Sequence, residues 1–173
     1  AVSLPINLMV VIIISLVILG LGVTLLYKFM GEAVTLKADL DDKTAEELER
    51  LLVDQGQMVA LPLHLAYLNP GENHIFGIGI LNINKENTFT IEVYLSAAAD
   101  QGNPILEEQA KTADWLLYPI NSLTIKENEH IKEGIMVSVP KTATKGQYIF
   151  NVIIRDSSGN QYGNTQKFYV NVK

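Results

Sequence analysis

The chain has 173 residues, thirteen Lys and Arg against nineteen Asp and Glu, a net charge of −6 and no cysteine. An acidic balance with no basic stripe argues against nucleic acid as a partner and against docking onto anionic lipid heads. Without cysteine there is no disulfide framework, thiolate nucleophile or soft metal site, so a folded domain must hold itself by core packing.

Residues 6 to 27 form 22 consecutive positions without a charge. At about 1.5 Å per residue a helix of that length reaches roughly 33 Å, enough to cross the ~30 Å hydrocarbon core of a bilayer. It is apolar all round rather than striped, so lipid or protein must surround it on every side. Ser3 is expected as its N-cap, and Pro5 suits the first turn, where a missing N–H is harmless. Ser15, Gly20, Gly22 and Thr24 are small or weakly polar and let helices approach closely. The expected packing surface comprises Pro5, Leu8, Val11, Ile12, Ile13, Ser15, Leu16, Leu19, Gly20, Gly22, Thr24 and Leu26. The first residue is Ala1, and no Lys or Arg precedes the apolar run, although a membrane anchor normally carries cations on its cytoplasmic side. Ala1 is therefore expected to follow a processing site cut in front of the apolar helix.

Lys28 is the first charge and, with Tyr27, has the character of an interfacial anchor. From Gly31 to Gln57 the composition turns to Asp, Glu, Lys, Leu and Ala. Thr44 and Glu47 fit a capping box, and Leu48, Leu51 and Leu52 recur at helical spacing, predicting a second helix from about 44 to 55 with Gly56 at its end. It is either continuous with the first or separated from it near Asp39 to Asp42. The acids Asp39, Asp41, Asp42, Glu46, Glu47, Glu49 and Asp54, with Lys37, Lys43 and Arg50 among them, do not match a calcium loop and read as a solvated helix face.

From about Met58 the period becomes two. Leu61, Leu63 and Leu65 alternate, then Phe76, Ile78 and Ile80, then Phe89, Ile91, Val93 and Leu95. Later come Ile135, Val137 and Val139, then Tyr148, Phe150, Val152 and Ile154, and finally Phe168, Val170 and Val172. Turn residues separate these runs at 69–71, 84–87, 101–104, 140–146 and 157–160. The expected fold is α+β: a long hydrophobic N-terminal α-helix followed by an antiparallel immunoglobulin-like β-sandwich of about seven strands. Trp115 to Tyr118 either adds a short strand or packs over an open end. The organisation is a hydrophobic helix at 1–30, a polar, partly helical connector at 31–57 and a sandwich head at 58–173.

Chemistry is sparse. His64, His74 and His130 have no companion ligands at metal-motif spacing, and Ser138 and Ser157 lack a recognisable His and Asp arrangement. Gly77-Ile78-Gly79 lies inside an alternating strand, so bulge or close packing explains it better than dinucleotide binding. Of the thirteen aromatics, all but Tyr27 and Phe29 are spread along the β region rather than grouped into a base-stacking platform, and no Asn-x-Ser/Thr sequon is present. These observations predict a protein without catalytic residues, metal or cofactor.

An uncharged apolar helix from Ala1 to Tyr27, an amphipathic stretch and a C-terminal β domain together resemble the type IV pilin superfamily. The closing segment, Val139-Pro140, Gly146-Gln147-Tyr148-Ile149-Phe150-Asn151-Val152, Tyr162-Gly163 and Phe168-Tyr169-Val170-Asn171-Val172, is similar to β-sandwich domains of archaeal surface proteins. Position 5 is Pro rather than the Glu usual in bacterial type IV pilins, which favours an archaeal pilin or archaellin-related subunit. The resemblance implies cleavage by a prepilin peptidase before Ala1 and storage of the subunit in the membrane. Pilus assembly machinery would then extract it into an extracellular helical homopolymer, with a role in adhesion. The alternative is a single-span membrane-anchored surface protein whose external immunoglobulin-like domain binds a ligand or a neighbouring protein.

Overall fold

The computed structural model describes residues 5–34 and 40–173, with the backbone alone described from 25 to 34. The chain divides into two compact units, Ala1–Leu36 and Lys37–Lys173.

The first unit contains α1, Ile6–Val34, whose 29 residues make a rod of about 43 Å. Pro5 stands at the cap of this helix rather than inside its first turn, its carbonyl accepting from the amides of Leu8 at 2.9 Å and Met9 at 3.3 Å. The helix runs past Tyr27, because the Lys, Glu and Ala that follow are good helix formers and polarity alone does not end a hydrogen-bonded ladder. Leu40 and Asp41 are non-helical, so a break precedes the second helix. Ala1 and Ser3 lie outside the described residues, as do Lys37 and Asp39.

In the second unit, α2 spans Asp42–Glu49 and continues into a π-helical turn at Arg50–Asp54. Its N-cap is Asp41 rather than Thr44: the Asp41 carboxylate accepts from the Thr44 amide at 2.9 Å. Thr44 itself is buried, which makes it a packing residue. Gly56, just past the helical end, has a positive φ of 65°.

Ten strands follow: β1 (Val59–Ala60), β2 (Leu65–Leu68), β3 (Asn73–Leu81), β4 (Asn87–Asp100), β5 (Asn103–Pro104), β6 (Leu116–Leu117), β7 (Leu123–Ile125), β8 (His130–Ser138), β9 (Gly146–Arg155) and β10 (Gln166–Val172). They form a four-stranded sheet in the order β1-β3-β8-β6 and a six-stranded one in the order β2-β10-β9-β4-β5, with β7 also on β4. The fold is thus the expected helix followed by a two-sheet sandwich, with more strands than the seven read from periodicity. The surplus strands β1, β5 and β7 have two or three residues each, too few for alternation to register.

Alternation correctly assigns the faces of the long strands. Phe76, Ile78, Ile135, Val137, Tyr148, Phe150, Val152, Phe168 and Val170 are all buried between the sheets. Phe168 stacks between Phe76 and Phe150, with ring centroids 4.3 and 4.9 Å away. In β4 a bulge between Leu95 and Ala97 shifts the phase, and Ala98 takes the next inward place. Trp115 and its neighbours satisfy both readings: β6 pairs with β8, while the indole is buried against Tyr148 at 4.7 Å.

The first alternating run is the exception. Leu61 is buried, but Leu63 and Leu65 are 52% and 46% exposed, and Ala66 and Leu68 face the core instead. The strand begins at Leu65 and pairs in parallel with β10, so the domain is not wholly antiparallel. Its phase is set by that pairing, through the Tyr169 amide donating to the His64 carbonyl at 2.7 Å, and not by the leucines upstream of the strand.

The stretch 40–57 belongs to this unit rather than trailing from it. Leu48 and Leu52 are fully buried with Ala60, and Leu40, Leu51 and Leu81 pack around them. Gly77 and Gly79 make this possible through close packing rather than a bulge. A Cβ on Gly77 would lie 2.4 Å from Thr44 Cγ2, and one on Gly79 would lie 2.5 Å from Leu52 Cδ1.

Candidate functional site

The most unusual surface of the chain is the side of α1. Every side chain described from Pro5 to Thr24 is exposed, including Ile6 at 79% and Leu19 at 66%. The stretch Ile6–Thr24 is long and apolar enough to cross a membrane, and none of it is buried. Leaving this surface in water is costly, since each large aliphatic side chain gains about 1.5–3 kcal/mol on burial. The two hydroxyls on the rod are already satisfied within it: Ser15 Oγ donates to the Val11 carbonyl at 2.7 Å and Thr24 Oγ1 to that of Gly20 at 2.8 Å. Neither therefore brings an unpaired donor into an apolar surrounding.

Helical spacing sorts the expected packing residues onto two sides. Pro5, Ile12 and Leu19 follow one another at seven-residue intervals beside Leu8, Ser15 and Gly22, flanked by Val11 and Leu16. Ile13, Gly20 and Thr24 lie on the adjoining side, next to Leu16. A Cβ on Gly20 or Gly22 would meet nothing within 4 Å, so both mark open notches in the rod. The helical backbone includes Leu26, but its side chain is outside the described set. Ile14, Val17, Ile18 and Leu21, absent from the expected surface, are exposed to the same degree. The uniform apolar composition was the signal for including them.

On the head, the helical acids have structural tasks. Hydrogen bonds from Thr44 hold the Asp41 carboxyl below its usual value. Glu47 pairs with Arg50. Glu49 Oε2 reaches both Lys132 Nζ and His130 Nε2 at 2.8 Å, and these partners, Lys132 foremost, lower its pKa while fastening α2 to β8. His74 sits edge-on to Phe76 at 4.7 Å, with Nε2 buried and unpartnered. Burial pushes its pKa down, and nearby Asp41 opposes only part of that shift. Among the described residues no three His, Asp or Glu side chains gather into a metal cluster. Ser138 lines a cleft of about 370 Å³ beside Lys111, Asp114, Thr142 and Thr144, whose lining includes no histidine. Ser157 lies in the β9–β10 turn, held by Asp156 Oδ1 accepting from the amides of Ser158 and Asn160.

No protein-family model matches the sequence, and no curated protein does. Among solved structures, a family 123 glycoside hydrolase from Clostridium perfringens aligns at 15% identity over 65% of this chain and 23% of its own, with a TM-score of 0.47. The ASH/PapD-like domain of human CEP192 aligns at 15% identity over 68% of this chain and 84% of its own, with a TM-score of 0.44. The GspB Siglec domain aligns at 17% identity over 67% of this chain and 56% of its own, with a TM-score of 0.40. The chain thus spans about a quarter of the glycoside hydrolase and just over half of the Siglec-domain structure. Likenesses at this level carry no functional inference.

Proposed function

We propose that the chain is the structural subunit of an extracellular filament of the type IV pilin kind. In this reading α1 resides in the membrane before assembly and packs against copies of itself afterwards, with the β-sandwich heads outside and available for attachment. The observation that carries it is the all-round exposure of an apolar rod whose polar groups are internally satisfied. Water cannot be its resting environment, and neighbouring helices replace lipid without exposing it. Close packing around the notches at Gly20 and Gly22 supplies contact that lipid chains provide less specifically.

A single-span anchor carrying a ligand-binding head accounts for the same rod, since Ile6–Thr24 also fits a bilayer. The two readings predict different fates for α1. Mild shearing of cells that make this chain should release long filaments containing it, visible by electron microscopy. Retention of all the protein in the membrane fraction until detergent is added would overturn the filament reading in favour of the anchor.

A further inference from the structure

The two outer faces of the sandwich are chemically opposite. On the four-stranded side, α2 and its π-helical turn cover β3 and present exposed Asp42, Glu46 and Asp54 to solvent, with Lys43 alongside. Glu47 and Glu49 on the same helix are engaged with Arg50 and with Lys132 and His130. On the six-stranded side the outer face is partly exposed and rich in tyrosine, with Ile153 buried within it. Leu65, Tyr169 and Ile149 are register neighbours across β2, β10 and β9, and Lys167, Asn151 and Tyr94 form a second row across β10, β9 and β4. Tyr67 is 59% and Tyr94 46% exposed. The charges here are Lys167 and Lys173, both exposed, and Arg155, which is bonded to Glu92 at 2.8 Å; at the β4 edge beside Tyr94, exposed Glu107 is engaged with Thr112 and Ala113. Lys173 Nζ stands 5.7 Å from the Tyr67 ring centroid. Glu72, at the rim near Lys173, is hydrogen-bonded to Asn69.

Tyrosine enrichment with few charges is the composition of an interface centre. Charge decides the occupant. A like-on-like contact would set Lys167 against its own copy or acid against acid, whereas the acidic helix on the opposite side of the same head has the complementary sign. A contact between two different faces is heterologous, and when its rotation does not close it propagates into a helical array. We propose that the acidic α2 face of one head seats on the tyrosine- and lysine-bearing outer face of the six-stranded sheet of the next copy. This deepens the filament reading above and rests on it.

The test uses filaments of the full chain. A zero-length carbodiimide joins carboxylates to amines only where they touch, and digestion with mass spectrometry identifies the linked pairs. Links from Asp42, Glu46 or Asp54 to Lys167 or Lys173 are expected. Assembly from a mixture of isotopically labelled and unlabelled chains separates links between two copies from links within one head, and only mixed-label pairs support the contact. Filaments linked only through other pairs would overturn the proposal.

A second arm reverses charge. Lys167→Glu with Lys173→Glu should lower filament yield about tenfold at low ionic strength, and adding Asp42→Lys with Glu46→Lys to the same chain should restore it to within about threefold. Rescue of this kind excludes misfolding as the cause of the loss. Reversed chains that assemble at the wild-type yield would also overturn the contact, leaving the filament reading intact. A wild-type chain that forms no filaments would overturn both.

Discussion

Gly79→Ala tests the seating of α2 on the sheet with a single methyl group. In the native chain that methyl would lie 2.5 Å from Leu52 Cδ1 and 3.2 Å from Leu48 Cδ2. Carbon atoms rest at about 3.5–4.0 Å, so Leu52 must turn aside or the helix retreat by roughly 1 Å, and a gap of that size forfeits a quarter to a half of each contact it opens. Leu48 and Leu52 are fully buried in a cluster with only Ala60 as a third buried member, so there is little room to repack. Overpacking of this kind costs about 1–3 kcal/mol, offset by about 0.5–1 kcal/mol from replacing a flexible glycine in a strand. The expected net loss is about 1 kcal/mol, within limits of about 0 and 2.5 kcal/mol. Leu52→Ala alone should cost about 2–5 kcal/mol, and the double variant should cost less than the two singles together, because the smaller side chain vacates the space that the new methyl needs. The assay is denaturant unfolding of the full chain in detergent micelles, with hydrogen exchange read at the amides of 42–54. A Gly79→Ala protein as stable as the parent, with unchanged protection in that helix, or strictly additive losses in the double variant, would refute the packing argument.

Phe150→Ala should destabilise the head by about 3–5 kcal/mol, since the ring is fully buried and stacked on Phe168; a loss below about 1 kcal/mol in the same assay would mean that the strand faces the other way. Ile13→Asp or Gly20→Asp should abolish filaments while leaving the near-ultraviolet signature of buried Trp115 unchanged, because the charge falls on the rod alone; filaments of normal yield from either variant would refute the role assigned to α1. Stability should fall on acidification below about pH 6.5, because the unfolded chain takes up a proton there that half-buried His74 resists; His74→Gln should flatten unfolding midpoints measured between about pH 7 and 5.5, and an unchanged slope would dismiss His74 as the cause. Glu49 contributes stability above its unfolded pKa of about 4.5, and that contribution should be lost as pH drops through the lowered folded value, along with α2 protection from exchange.

Two periodicities made most of the fold legible. A run of 22 uncharged, mostly apolar residues is long enough to cross a membrane as a helix, and β9 turns Tyr148, Phe150, Val152 and Ile154 inward, because side-chain direction in a strand has a period of two. The glycines at 77 and 79 were readable as either a bulge or a packing site, and nothing local to them says that Leu52 and Thr44 fill the space above them. The N-cap was legible only as a neighbourhood: Asp41 and Thr44 are both good caps, and the burial of Thr44 against β3 leaves the task to Asp41. The Glu49 bridge to His130 and Lys132 joins residues some eighty positions apart, a separation across which no motif operates.

What the amino-acid order determined alone was the kind of each long element, the inward face of each strand longer than a few residues, and the apolar character of α1 on every side. These follow from side-chain geometry and solvation, which act within a few neighbouring residues. The tertiary structure decided the parallel seat of β2 on β10, with Leu65 turned outward, and the roof that α2 makes over β3. It also decided the collection of Tyr67, Tyr94, Tyr169 and Lys167 from three strands onto one outer face. Those outcomes depend on which edges and faces remain unpaired once the long strands have come together, and that is a property of the assembled sheets rather than of any segment.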